Sequence, residues 1–173
     1  DKAEFGGEDN KLAMSWANLN RVLYLDLKKK AEGTDFETTL ECTHHGPLMN
    51  KPTVFIEIGS SDKEWNNKQA AEIIAKTIID MLIEDIPENE AVIVLGGPHY
   101  CSNLNKILAK TEYAIGHICP KYMLNKITES NIKEAFGKTR EHLEIVLLDW
   151  KGLGTEKERI IELLKKLNIK YER

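Results

Sequence analysis

The run Ala91-Val92-Ile93-Val94-Leu95 constrains the fold more than any other stretch, because it is apolar at every position and β-branched in its middle. A strand with one face in water alternates apolar and polar residues; one that is apolar throughout must be covered on both faces. Gly96-Gly97-Pro98 ends the run at once, since glycine marks a turn and proline cannot donate to a ladder. Helices must therefore lie above and below this strand. Asn66 to Glu84 is the clearest of them, with Ala70, Ile73, Ile74, Thr77, Ile78, Met81 and Leu82 on one face. An earlier helix is expected to be capped by Asn18, to carry the stripe Leu19, Val22, Leu23, Leu27 and Ala31, and to stop at Gly33. Thr155-Glu156-Lys157-Glu158 reads as a capping box for a last helix with Ile160, Ile161, Leu164 and Leu167 inward.

Four further strands are predicted: Phe36 to Cys42, Val54 to Ile58, Tyr113 to Ile118 and Glu144 to Leu148. Strands and helices alternate, which predicts a layered α/β domain with a mostly parallel sheet. With 173 residues and no visible repeat or linker, residues 1–173 are expected to form one domain with a sizeable core. The net charge of −4 argues against a surface that coats nucleic acid generally, while leaving room for a local basic patch. Cys42, Cys101 and Cys119 are odd in number and lack a C-x-x-C spacing, so neither a disulfide framework nor a thiolate zinc cage is expected. A reducing, cytoplasmic setting and no membrane association are the expectations.

Four of the five histidines fall at or near predicted strand ends: His44, His45, His99 and His117. In open α/β sheets the crevice outside the carboxyl ends of the strands is the usual ligand site. Neutral imidazole is the commonest metal ligand, and a catalytic zinc takes three protein ligands with one position left open. His44, His99 and His117 are the candidate set, with His45 or Glu57 as base. Metal-free acid–base histidines and ordinary loop polarity stand beside that reading, because no H-E-x-x-H or H-x-x-x-H spacing is present. Glu57 is either a half-exposed strand residue in water or an acid held at the site wall. Gly59-Ser60-Ser61 and Gly96-Gly97-Pro98 leave their strands with turns whose amides can hold an oxyanion or a phosphate, although tight turns explain them too. Lys121 and Tyr122 offer a cation and a stacking ring suited to a single-stranded nucleic-acid end.

Taken together in order, Phe5-Gly6-Gly7, Glu41-Cys42-Thr43-His44-His45-Gly46-Pro47, Glu57-Ile58-Gly59-Ser60-Ser61 with Glu64-Trp65, Gly96-Gly97-Pro98-His99-Tyr100, Gly116-His117-Ile118-Cys119-Pro120-Lys121-Tyr122 and Asp149-Trp150-Lys151-Gly152 resemble the archaeal and plant type of D-aminoacyl-tRNA deacylase. The resemblance runs over nearly the whole chain. It departs at Pro98, where a third glycine is usual, and at Cys101 and Cys119 beside the histidines. The family is longer at its amino end, so the chain is expected to lack that first stretch.

The resemblance implies a hydrolase that cleaves the ester of D-aminoacyl-tRNA to free D-amino acid and tRNA, with zinc as cofactor. It implies a three-layer α/β/α fold around a mixed, mostly parallel sheet, similar to the phosphorylase and peptidyl-tRNA hydrolase-like folds. The partner expected is the tRNA acceptor end, gripped by a monomer, with Lys121 on the terminal phosphate or the substrate carbonyl. Two other classes stand against this expectation: a zinc amidohydrolase or carboxypeptidase-like enzyme on small amides, and a tRNA-end binding module without turnover.

Overall fold

The computed structural model describes residues 4–44 and 46–173. In chain order the elements are α1 (Ala17–Lys30), α2 (Asp62–Trp65), α3 (Lys68–Ile83), β1 (Ala91–Leu95), α4 (Ser102–Lys110), β2 (Ala114–Cys119), α5 (Glu129–Gly137), β3 (Leu143–Leu148), α6 (Lys157–Lys166) and β4 (Lys170–Glu172). Short 3₁₀ turns at Lys121–Lys126 and Gly154–Glu156 follow β2 and β3. The strands form one sheet in the order β2-β1-β3-β4, and every pair in it is parallel. The apolar run is the inner strand β1, with Ala91 opposite Ala114 on one side and Leu95 opposite Leu148 on the other.

Strand parity divides the core in two. Ala91, Ile93 and Leu95 point to a layer filled by Leu124, Ile132, Ile160 and Leu164 from the α5 and α6 side. Val92 and Val94 point to the other, filled by Tyr24, Leu104, Leu108 and Ile115. A five-residue strand with no polar side chain is thus buried on both faces, as its sequence demands. Both layers close on β1, which makes it the most protected element of the molecule.

Several expectations are corrected. Phe36–Cys42 and Val54–Ile58 are not strands; among the described residues their one ladder contact is an isolated antiparallel bridge from Glu41 to Tyr100. Strand preference is a fit to a partnered, half-covered pleat. The two edges of β1 are already taken by β2 and β3. Asn18 does not cap α1. The helix begins at Ala17, and the amides of Ala17 and Asn18 donate to the Glu141 carboxylate at 3.0 and 2.8 Å. Asn18 is buried instead, accepting from the Asn89 amide at 2.8 Å. The expected box at Thr155–Glu158 makes no cap hydrogen bond, since a 3₁₀ turn occupies that place. A capping box forms at Thr128 and Asn131, ahead of α5. Among the described residues, no helix is long and apolar enough to cross a membrane.

Candidate active site

The residues Leu40 to Thr43 are laid across the carboxyl ends of β1 and β2 by backbone bonds. Cys101 N donates to Leu40 O at 2.9 Å, Cys42 N to His99 O at 3.0 Å, and Thr43 N to Ile118 O at 2.9 Å. The Asn105 side chain accepts from Leu40 N at 2.9 Å, and Thr43 Oγ1 accepts from Ile118 N at 2.9 Å. Leu40 and Cys42 turn into the core, so period-two alternation turns Glu41 the other way. The stretch fails as a strand yet is fixed closely enough to aim side chains.

Glu41, His44 and His99 meet there. His44 Nε2 lies 2.7 Å from Glu41 Oε2, His99 Nε2 lies 3.7 Å from the same oxygen, and the two rings are 4.8 Å apart. One carboxylate oxygen and two imidazole nitrogens fall within 4.8 Å of one another, as a single small cation would require. The side chains of Glu41, His44 and His99 are 34, 17 and 38% exposed, so the group is open to a ligand from one side. His99 is held from behind, its Nδ1 at 3.1 Å from the Tyr122 hydroxyl and 3.2 Å from Cys42 Sγ. Burial raises the Cys42 thiol and pushes the Tyr122 phenol up to about 12, so both keep their protons near neutrality. Burial likewise pushes Cys101 and Cys119 up to about 12, which leaves them inert as nucleophiles near neutrality.

Of the three histidines expected as ligands, the structure brings His44 and His99 together. His117 stands apart from the group: it is 6% exposed, with Nδ1 at 3.4 Å from Thr43 Oγ1 and Nε2 at 3.1 Å from the Lys138 carbonyl. Burial lowers its pKa, and both ring nitrogens are engaged by protein. Glu41 takes the third place, a residue not singled out from the sequence; its carboxylate three positions before His44 was the available signal. His45 lies outside the described residues. Glu57, Gly59 and Ser60 are exposed on the wall of the same cleft and are not members of the Glu41 group. Lys121 is exposed at the start of the first 3₁₀ turn, its amide bonded to Gly97 O at 2.9 Å.

Gly96 and Gly97 answer to packing. Both have positive φ, +108° and +89°, and a Cβ on Gly96 would stand 3.0 Å from the Asp149 carbonyl. Facing them, a Cβ on Gly152 would stand 2.3 Å from Gly97 N. The amide of Gly96 already donates to Cys119 O at 2.8 Å, so it is not available to an oxyanion. The crevice between β1 and β3 is thereby closed by backbone against backbone.

The open space is on the other side, a cleft of about 1220 Å³ bordered by Glu41, His44, Glu57, Tyr100, Tyr122 and Lys126. A crystal structure titled as a conserved protein of unknown function superposes with a TM-score of 0.88 at 28% identity, covering 98% of this chain and 61% of that one. The curated D-aminoacyl-tRNA deacylase of Methanosarcina acetivorans is 32% identical over 98% of this chain, and that of Methanococcus vannielii 38% over 80%. That of Methanocaldococcus jannaschii is 33% identical over 98%. The chain spans 57, 55 and 70% of the length of these three relatives. The family model described as D-aminoacyl-tRNA deacylase matches residues 1–172. A histidine–carboxylate group at the strand ends, and a match over nearly every residue, lead to one conclusion: the chain belongs to the D-aminoacyl-tRNA deacylase family.

Proposed function

We propose that the protein hydrolyses the ester of D-aminoacyl-tRNA, releasing D-amino acid and tRNA, at a site where Glu41, His44 and His99 hold a zinc ion. The observation that carries this reading is the convergence of one carboxylate and two imidazoles at the strand ends beside a large cleft. The donor chemistry fits: two histidines and a glutamate are a catalytic zinc set, and imidazole with carboxylate suits a divalent ion of borderline softness. Zinc held by such a set supplies Lewis acidity towards an ester carbonyl and lowers the pKa of water towards neutrality.

The chain's own residues divide the remaining work. Water adds to the carbonyl carbon, the bond to the terminal ribose oxygen breaks, and that oxygen leaves with a proton. Glu57, on the cleft wall, accepts the proton from the attacking water and returns it to the leaving oxygen, with His45 as the other candidate. Lys121 meets a phosphate of the acceptor end by charge alone, at the exposed lip next to Tyr122. The cleft volume exceeds that of most small-ligand sites, as an amino acid esterified to a terminal nucleoside requires.

The test is a deacylation assay with D- and L-aminoacyl-tRNA, with and without zinc. D-aminoacyl-tRNA should be cleaved only by the zinc-loaded protein. His99→Ala should cut the rate about a hundredfold or more, the scale of a lost ligand or acid–base group. His142→Ala should leave it unchanged, because that side chain is 86% exposed and faces Glu144 on another surface. Full turnover by zinc-free protein removes the metal from this reading; cleavage of small amides with charged tRNA ignored replaces the substrate.

A further inference from the structure

We infer that Tyr122 and Cys42 clamp His99 in one tautomer, with the proton on Nδ1, so that its Nε2 lone pair faces Glu41 and His44. The purpose of that aim rests on the metal reading above; the clamp itself does not. His99 lies beyond the end of β1, and its side chain is 38% exposed, so core packing does not fix the ring. Two polar atoms fix it instead. Nδ1 is 3.1 Å from the Tyr122 hydroxyl and 3.2 Å from Cys42 Sγ, and those two are 3.6 Å apart. They make a closed triangle.

A neutral imidazole carries one N–H, and its position follows from which nitrogen has an acceptor. On the Nε2 side, Glu41 Oε2 is 3.7 Å away, beyond hydrogen-bond reach, and is already engaged by His44 at 2.7 Å. On the Nδ1 side, the phenol oxygen is 3.1 Å away and free to accept, because its own O–H can donate to the Cys42 sulfur at 3.6 Å. A proton on Nδ1 therefore has a protein acceptor, and among the described residues one on Nε2 has none within hydrogen-bond reach. The backbone supports the arrangement, since Cys42 N donates to His99 O at 3.0 Å and Lys121 N, next to Tyr122, to Gly97 O at 2.9 Å. Cys42 is 3% exposed and cannot swing away. Tyr122 is thus a positioning residue acting through its hydroxyl, rather than a free ring for base stacking. Hydrogen bonds of this kind behind a ligating histidine commonly carry 10- to 100-fold in metal affinity.

Nitrogen NMR of histidine-labelled, metal-free protein tests the clamp, recorded well above the ordinary imidazole pKa of about 6.5. Wild-type His99 should show a protonated Nδ1 and a bare Nε2. Tyr122→Phe, which keeps the ring, should mix the two tautomers and weaken zinc binding about 10- to 100-fold in chelator competition. Its metal-free thermal unfolding should match that of the wild type. Cys42→Ser, which retains an acceptor, should stay close to the wild type in both readouts. A wild-type His99 protonated on Nε2 overturns the inference, as does an unchanged tautomer in Tyr122→Phe. If the wild type binds no zinc while its tautomer shifts in Tyr122→Phe, the clamp stands and the metal reading falls.

Discussion

Ala91–Leu95 and Val54–Ile58 are two short β-prone runs of nearly the same character, Ala-Val-Ile-Val-Leu and Val-Phe-Ile-Glu-Ile. The first is an inner strand with each residue at most 3% exposed. The second forms no strand, and its Phe55 is 52% exposed. Local preference was present in both. What differs is the neighbourhood: β2 and β3 pair with the first run on either side, and helices cover both its faces. A ladder is a property of two strands, and a buried face a property of two layers, so one run's composition permits a strand without producing it. The site sits where these two kinds of backbone meet. His99 comes from the end of the paired run, while Glu41 and His44 come from the irregular stretch pinned across it.

The sharpest way to break this comparison is to truncate one large side chain in each run. Ile93→Ala should cost about 2–5 kcal/mol of stability in urea unfolding, the range for a large aliphatic side chain deleted from a closed core. Phe55→Ala should stay within about 0.5 kcal/mol, as exposed positions do. Equal costs would mean that residues 53–58 are packed in solution against something that covers them.

A smaller effect separates long-range capping from local capping. Glu141 accepts from the first amides of α1 across the molecule, a duty the sequence assigned to Asn18. Glu141→Ala should lower stability by about 1 kcal/mol, the usual value of a lost cap. Glu141→Gln, which keeps an acceptor oxygen, should recover part of it. Were Glu141→Ala neutral, the start of α1 would owe nothing to the loop before β3.

The third test sets His117 against the exposed group at the crest. Burial holds the folded-state pKa of His117 below its unfolded value of about 6.5. Between those two values the unfolded chain binds the extra proton, so stability rises with pH there. The contribution is complete above about pH 6.5 and is lost as pH falls towards the folded pKa. His117→Gln should flatten the stability profile in that acid window, read as unfolding midpoints at successive pH values. An unchanged slope would assign the acid sensitivity elsewhere.

The fully apolar β1, the strands around 113–118 and 144–148, α3 and the α/β class were legible in the chain, because hydrophobic period and glycine–proline stops are local quantities. So was the place of His99 just past β1; His44 was expected after a strand at 36–42 that does not form, and hydrogen bonds from Leu40 to Thr43 bring it to the strand ends instead. Three things were not. The polar three-residue β4 has no pattern of its own and exists because β3 offers it an edge. Thr128 and Glu141 serve as caps through geometry that the sequence does not rank above Thr155 and Asn18. That Glu41 rather than His117 clusters with His44 and His99 is visible only in space. Both histidine-bearing stretches, His44 and His117, reach the same crest, but the Lys138 carbonyl and Thr43 draw the His117 ring into the wall while the irregular stretch turns Glu41 outwards. Spacing along a chain tells which residue types are available at a strand end. Which of them converge depends on side-chain direction and on competing hydrogen bonds from distant residues, and those exist only once the layers have packed.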